Sequence, residues 1–221
     1  MFLINTNYVI GQEKIDKRLD LREVVFSKKG NITNKEAYNE SIITYKHLFE
    51  KALREYAKKD SLFSDEMSMN LEMKIQAIGF AIEEMQLTPK YKSSKSEITY
   101  LFQDSLPIVY KISRDFSITE LKKDTKTIEG FKCFKVIFSV KEQSDNSNEI
   151  SQDMPTILKE AILNTETEYI MYVTDKIKNC YHPVIKYKFV LDKYYPLEII
   201  EKDSSIKGAQ INYNLIRLEL K

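Results

Sequence analysis

Tryptophan is absent from this chain, and 221 residues contain only five glycines, five prolines, two cysteines and two histidines. So little glycine excludes Gly-rich phosphate loops and repeat propellers, and no P-loop or Gly-x-Gly-x-x-Gly fingerprint is present. Neither charge sign dominates: 34 Lys and Arg face 33 Asp and Glu, a formal net charge of +1. No global field would then draw the protein onto nucleic acid or anionic lipid, and nucleic acid is not an expected partner. Long apolar runs are missing as well; none approaches the roughly 20 residues that a helix needs to cross a bilayer, so no membrane span is expected.

Histidine is too scarce for a metal centre built on imidazole. His47 lies beside the apolar stripe of a helix and has no partner at ligand spacing. His182 stands two residues from Cys180, a pair that can bind soft metals or activate a thiolate; the alternative is a loop leading into a strand. Two ligands do not make a zinc site, so neither a metal nor a cofactor is expected. The carboxylates fall on solvated faces and turns, and no pair stands out as a general acid and base. No catalytic residue is assigned.

What the chain has in quantity is strand and helix periodicity. Leu19 to Phe26 reads as a strand closed by turn chemistry at Ser27 to Asn31. The period then changes. Thr33 and Glu36 have capping-box spacing, and Ile42, Tyr45, Phe49, Leu53 and Tyr56 form one apolar stripe to about residue 59. Leu71, Ile75, Ile78, Ile82 and Met85 form a second stripe. Short polar-bounded strands follow at 85–92, 97–102, 107–113 and 116–121, and no crossover helix separates them, which favours antiparallel pairing. A polar stretch at 141–153, a turn or two of helix at 155–163, and strands at 168–175, 187–191, 195–201 and 209–220 complete the pattern.

The expected fold is therefore α+β: a largely antiparallel, curved, half-barrel-like sheet over 86–220, with an amphipathic helical pair at 34–85 packed against it. Residues 13–221 form a single domain of a size that one core supports. Residues 1–12 are apolar and end in small and polar residues, so they read either as a signal-peptide remnant or as a short first strand.

One stretch is more specific than this pattern. Asp124-Thr-Lys-Thr-Ile-Glu-Gly-Phe-Lys-Cys133 reads as a turn, with Gly130 in a positive-φ or bulge geometry, entering a strand whose core face carries Phe134, Val136, Phe138 and Val140. It is similar to the D-T-K-x-I-x-G-[YF]-K-C segment of the GLPGLI family, exported bacterial envelope proteins built largely of antiparallel strands and without an assigned activity. The matching positions are Asp124, Thr125, Lys126, Ile128, Gly130, Phe131, Lys132 and Cys133. Met85 to Phe102 resembles the paired strands before that segment, and Glu168 to Asp175 resembles the strand after it. The family's Gly-Leu-Pro-Gly-Leu-Ile is not intact: Tyr195-Pro-Leu-Glu-Ile-Ile200 stands there, with both motif glycines lost.

The resemblance implies an extracytoplasmic protein, periplasmic or associated with the outer membrane. In an oxidising compartment Cys133 and Cys180 could pair across neighbouring strands; two free, partly buried thiols are the alternative. The functional expectation is a non-enzymatic envelope protein that binds a partner protein or a hydrophobic, lipid-like ligand through the concave face of the sheet. An enzyme with a cleft near Cys180 and His182 is the rival, and a purely structural envelope component is a third reading.

Overall fold

A computed structural model describes residues 19–57, 85–87, 97–100, 103–107, 110–111, 113, 115–141, 165–178 and 182–220. In chain order the elements are β1 (Leu19–Ile32), α1 (Lys35–Ala57), β2 (Met85–Leu87), β3 (Glu97–Tyr100), β4 (Gln103–Pro107), β5 (Phe116–Ile128), β6 (Phe131–Lys141), β7 (Glu166–Thr174), β8 (Ile177–Lys178), α2 (Lys188–Leu191), β9 (Tyr195–Asp203) and β10 (Ala209–Leu220). Among the described residues one antiparallel sheet runs in the order β2-β1-β10-β9-β7-β6-β5, and it does not close on itself. The exception to antiparallel pairing is β8, which lies parallel to the first residues of β1, while β3 and β4 form a separate hairpin.

Two turns and two strands depart from the sequence expectations. Ser27 to Asn31 is not a turn: it continues β1 to Ile32 because Asn214 to Gln210 of β10 pair with it residue by residue. The turn ahead of β6 is confined to Glu129 and Gly130, with φ of 48° and 79°, and Asp124 to Ile128 are already strand. Positive φ at both central residues suits a two-residue hairpin, since that turn twists in the same sense as the strands it joins. Residues 187–191 are not a strand either; Lys188 to Leu191 make one helical turn, so that Val190 and Leu191 both reach the core. Of the strand expected at 107–113, Pro107 ends β4, which pairs with Glu97 to Tyr100; Tyr110, Lys111 and Ser113 are not strand, and the rest lies outside the described residues.

The cap of α1 is also shifted by one residue. The Ala37 N–H donates to the Asn34 side chain at 3.1 Å, so Asn34 rather than Thr33 caps the helix. The start of α1 is pinned to the β9–β10 turn, where the Thr33 and Asn34 N–H groups donate to the Gly208 carbonyl at 2.8 and 3.0 Å. The Lys207 N–H donates to the Ser41 hydroxyl at 3.0 Å. Gly208 has φ +74°, and a Cβ there would lie 2.2 Å from the Asn34 carbonyl oxygen and 2.8 Å from the Tyr38 nitrogen. The second helical stripe, at 64–85, and the expected helical turns at 155–163 lie outside the described residues, apart from Met85, which opens β2.

The core lies on one face of the sheet. Alternation along β6 turns Val136, Phe138 and Val140 inward, against Tyr169, Met171 and Val173 of β7 and Leu197 and Ile199 of β9. Residues 182–194, linking β8 to β9, cover that face with Ile185, Tyr187, Val190, Leu191 and Tyr194. Phe138 is the hub: its ring stacks on Tyr169 at 5.8 Å and meets Tyr187 and Phe189 edge-on at 5.0 and 5.7 Å. Burying each such side chain stabilises by about 1.5–3 kcal/mol, and each well-placed aromatic pair adds about 1 kcal/mol.

Candidate functional site

The face opposite the core carries a polar network assembled from four neighbouring strands. Its starting point is an irregularity in β5. Leu121 pairs with Lys135 and Thr125 with Phe134, so three residues, Lys122 to Asp124, have no partner on β6. Extra residues bend a strand and re-aim its side chains. Here the insertion turns the Asp124 carboxylate back over the sheet, where it accepts hydrogen bonds from the Lys135 ammonium and, at 2.9 Å, from the Tyr172 hydroxyl. Lys135 and Tyr172 are direct partners across β6 and β7, and Tyr172 faces Glu198 across β7 and β9. Lys126 closes the network: its ammonium pairs with Glu198 and stands 3.9 Å from the centre of the Tyr172 ring.

Tyr172 is thus held edge and face, with its hydroxyl donating to a carboxylate and its ring covered by a cation, an arrangement that fixes an aromatic surface at low entropic cost. Hydrogen bonds from Lys135 and then Tyr172 hold the Asp124 carboxyl below its usual range, and the same contact raises the Lys135 ammonium. Two lysines and two carboxylates balance. Beside them the same face presents Ile137, Ile170 and Ile200, aligned across β6, β7 and β9 and half-buried. At its far end the row of Ser139, Glu168 and Lys202 opens into a polar cleft of about 550 Å³ against the start of α1 and the β9–β10 turn. Glu168 and Lys202 form an ion pair there at 3.1 Å.

Of the residues singled out in the sequence, the structure brings Asp124 and Lys126 to this face, while Cys133 is fully buried as part of the core cluster. Gly130 makes the turn, Ile128 and Phe131 pack against the core, and Thr125 and Lys132 are exposed. Asp124 and Lys126 are more than turn and strand-entry residues. Cys133 is a free, buried thiol at 3.5 Å from the Phe131 carbonyl oxygen, and burial pushes its pKa up to about 11. Cys180, its candidate disulfide partner, lies outside the described residues.

His182 is placed far from such chemistry. It is fully buried, its Nε2–H donates to the Pro196 carbonyl at 3.0 Å, and its Nδ1 accepts the N–H groups of Val184 and Ile185, both at 3.1 Å. Those bonds fix the tautomer and occupy both nitrogens, leaving neither for a substrate or a metal. His47 is exposed, 3.6 Å from Glu50 on the same helix. Among the described residues no group of three or more His, Cys, Asp or Glu is arranged to hold a metal ion.

Sequence reasoning missed Lys135, Tyr172 and Glu198 as members of one site. Lys135 carried a signal, being the charged residue in the middle of a strand that is apolar on its other face. Glu198, between Leu197 and Ile199, carried the same signal. Nothing local announced the three-residue insertion that brings Asp124 to them. A second polar cluster also went unseen: Glu120 accepts from Tyr194, and from Lys122 and Lys193 at 2.9 and 3.0 Å, which holds its carboxyl at about 2 and ties residues 193–194 to β5. Comparison with family models, with curated proteins and with solved structures finds no match for this chain.

Proposed function

We propose that this chain is a divergent GLPGLI-type protein of the bacterial envelope, extracytoplasmic and non-enzymatic, that binds a partner protein through the sheet face bearing Tyr172. A half-barrel curvature of the sheet, with a helical pair packed on it, belongs to the same reading. One observation carries it. Two of the segments that resemble the family, Asp124 to Cys133 and Glu168 to Asp175, and the segment Tyr195 to Ile200, which stands where the family's own motif is lost, fall on the adjacent strands β5, β6, β7 and β9, and side chains from all three meet in the Asp124–Lys135–Tyr172–Glu198–Lys126 network; the described residues of the third resembling segment, Met85 to Phe102, are β2 and β3, away from it. A fixed aromatic surface flanked by isoleucines and ringed by paired charges has the makeup of a protein-binding patch, with an apolar centre and a polar rim.

The core face is occupied by the chain's own Tyr187, Val190 and Leu191, which is why binding is assigned to the opposite face rather than to an apolar cavity for lipid. The buried, doubly bonded His182 supports the non-enzymatic reading over a Cys180 and His182 cleft. The test is site-specific photo-crosslinking in an envelope-expressing bacterium. A photoreactive phenylalanine analogue at position 170 should give one discrete protein adduct that Tyr172→Ala abolishes, while the same probe at the exposed Ile43 of α1 should give none. No adduct from position 170, or identical adducts from both positions, would overturn the proposal.

A further inference from the structure

Residues 182–194 cover the core face, and His182 fastens the first of them to the sheet. Its ring is wedged between Phe26 of β1, 4.9 Å away, and Tyr195 of β9, 5.1 Å away, and joins the segment's own backbone at Val184 and Ile185 to Pro196 in β9. The geometry works only for a neutral imidazole. A proton on Nδ1 would point at two N–H donors that now point at it, and would place a charge in a fully buried site. Of the groups around it the Pro196 carbonyl of β9 favours the charge, but burial outweighs it: Phe26 faces it from β1 and Tyr195 from β9, and the charge acting on it from its own segment is the Lys186 ammonium, which repels. The other end of the segment is held differently, by Tyr194 and Lys193 on Glu120 of β5.

We propose that residues 182–194 are an acid-released cover, detached from the sheet at the His182 end when that imidazole is protonated, while the sheet itself stays folded. Acid would thereby uncover the apolar face lined by Phe138, Met171 and Leu197. Burial holds the closed-state pKa of His182 at about 3, against 6.5 for a free imidazole. A depressed folded-state pKa means that the latch is complete above the free value and weakens as pH falls from there towards about 3. Glu120, held at about 2 against 4.5 for a free carboxyl, keeps its clamp undiminished down to about pH 4.5 and weakens only below it, so the two ends of the cover respond at different pH.

Hydrogen exchange read by mass spectrometry, corrected for the intrinsic pH dependence of exchange, tests this on the unmodified protein. Between about pH 7.5 and about pH 4.5 the opening constant of amides in 182–191 should rise by up to about 100-fold, while those of β6 and β7 hold their protection. In His182→Gln the pH dependence of that segment should disappear. Equal loss of protection in 182–191 and in β6 and β7 would mean global acid unfolding and overturn the proposal; so would an unchanged segment. Should His182→Gln not fold, the nitrogen shifts of the wild-type His182 ring decide, because the proposal requires that the ring gain its second proton together with the loss of protection.

Discussion

Two glycines with nearly the same backbone conformation provide a matched test of how α1 is attached. Gly130 has φ +79° and open space where a Cβ would be, whereas at Gly208, with φ +74°, the same Cβ would lie 2.2 Å from the Asn34 carbonyl oxygen. Alanine in the left-handed region costs about 1–2 kcal/mol at either site. Any benefit from a stiffer unfolded chain is common to both and cancels in the comparison. At Gly208 the clashing atoms are backbone, so the start of α1 has to move away, and the hydrogen bonds from Thr33 and Asn34 to the Gly208 carbonyl go with it. Each contributes about 1 kcal/mol net. Gly208→Ala should therefore lose about 3–4 kcal/mol and Gly130→Ala about 1–2 kcal/mol, read as midpoint shifts in urea at unchanged slope. Amides in the first turns of α1 should exchange faster in the first variant and not in the second. Equal losses, or a Gly208→Ala chain whose α1 amides are unaffected, would refute the attachment argued from these contacts.

Further outcomes follow from single residues. Glu129 has φ 48°, which asparagine tolerates better, so Glu129→Asn should raise stability by about 0.5–1 kcal/mol; no gain in the urea midpoint would show that the turn is not strained by its glutamate. Asp124→Ala removes the carboxylate that raises the Lys135 ammonium, and the pKa of Lys135, followed through its side-chain nitrogen by NMR, should fall; an unchanged titration would mean that the pair does not persist in solution. In a Cys180→Ser chain Cys133 should be inert to a thiol reagent under native conditions and titrate as one thiol in denaturant, since it is buried and its pKa stands at about 11; fast native reaction would contradict that placement.

The legible parts of this fold are those with a strong local period. Ala209 to Leu220 is β10 as expected, the helix read at 34–59 is α1 at Lys35–Ala57, and the core face of β6 is the one its alternation indicates. Gly130 takes positive φ, as its place ahead of a β-branched and aromatic run suggested. What escaped was decided by partners distant in sequence. Ser27 to Asn31 has the composition of a turn, yet β10 supplies a ladder partner opposite each residue and extends the strand. Tyr187 to Leu191 has strand-forming side chains, yet one helical turn delivers Val190 and Leu191 to the core where an extended chain would alternate them between faces. The Tyr172 network was hidden because its members come from β5, β6, β7 and β9, and because an insertion, not a periodicity, sets the position of Asp124.

The place of β10 has a consequence for how the chain is made. It sits between β1 and β9, so the earliest of the described strands cannot acquire its long partner until the last one has been synthesised. The β5–β6 hairpin and its neighbour β7 have near partners and can form while synthesis continues; β1 must wait, and with it Phe26 and its contact with His182. Pairing across so long a loop is slow to find and exposes strand edges meanwhile.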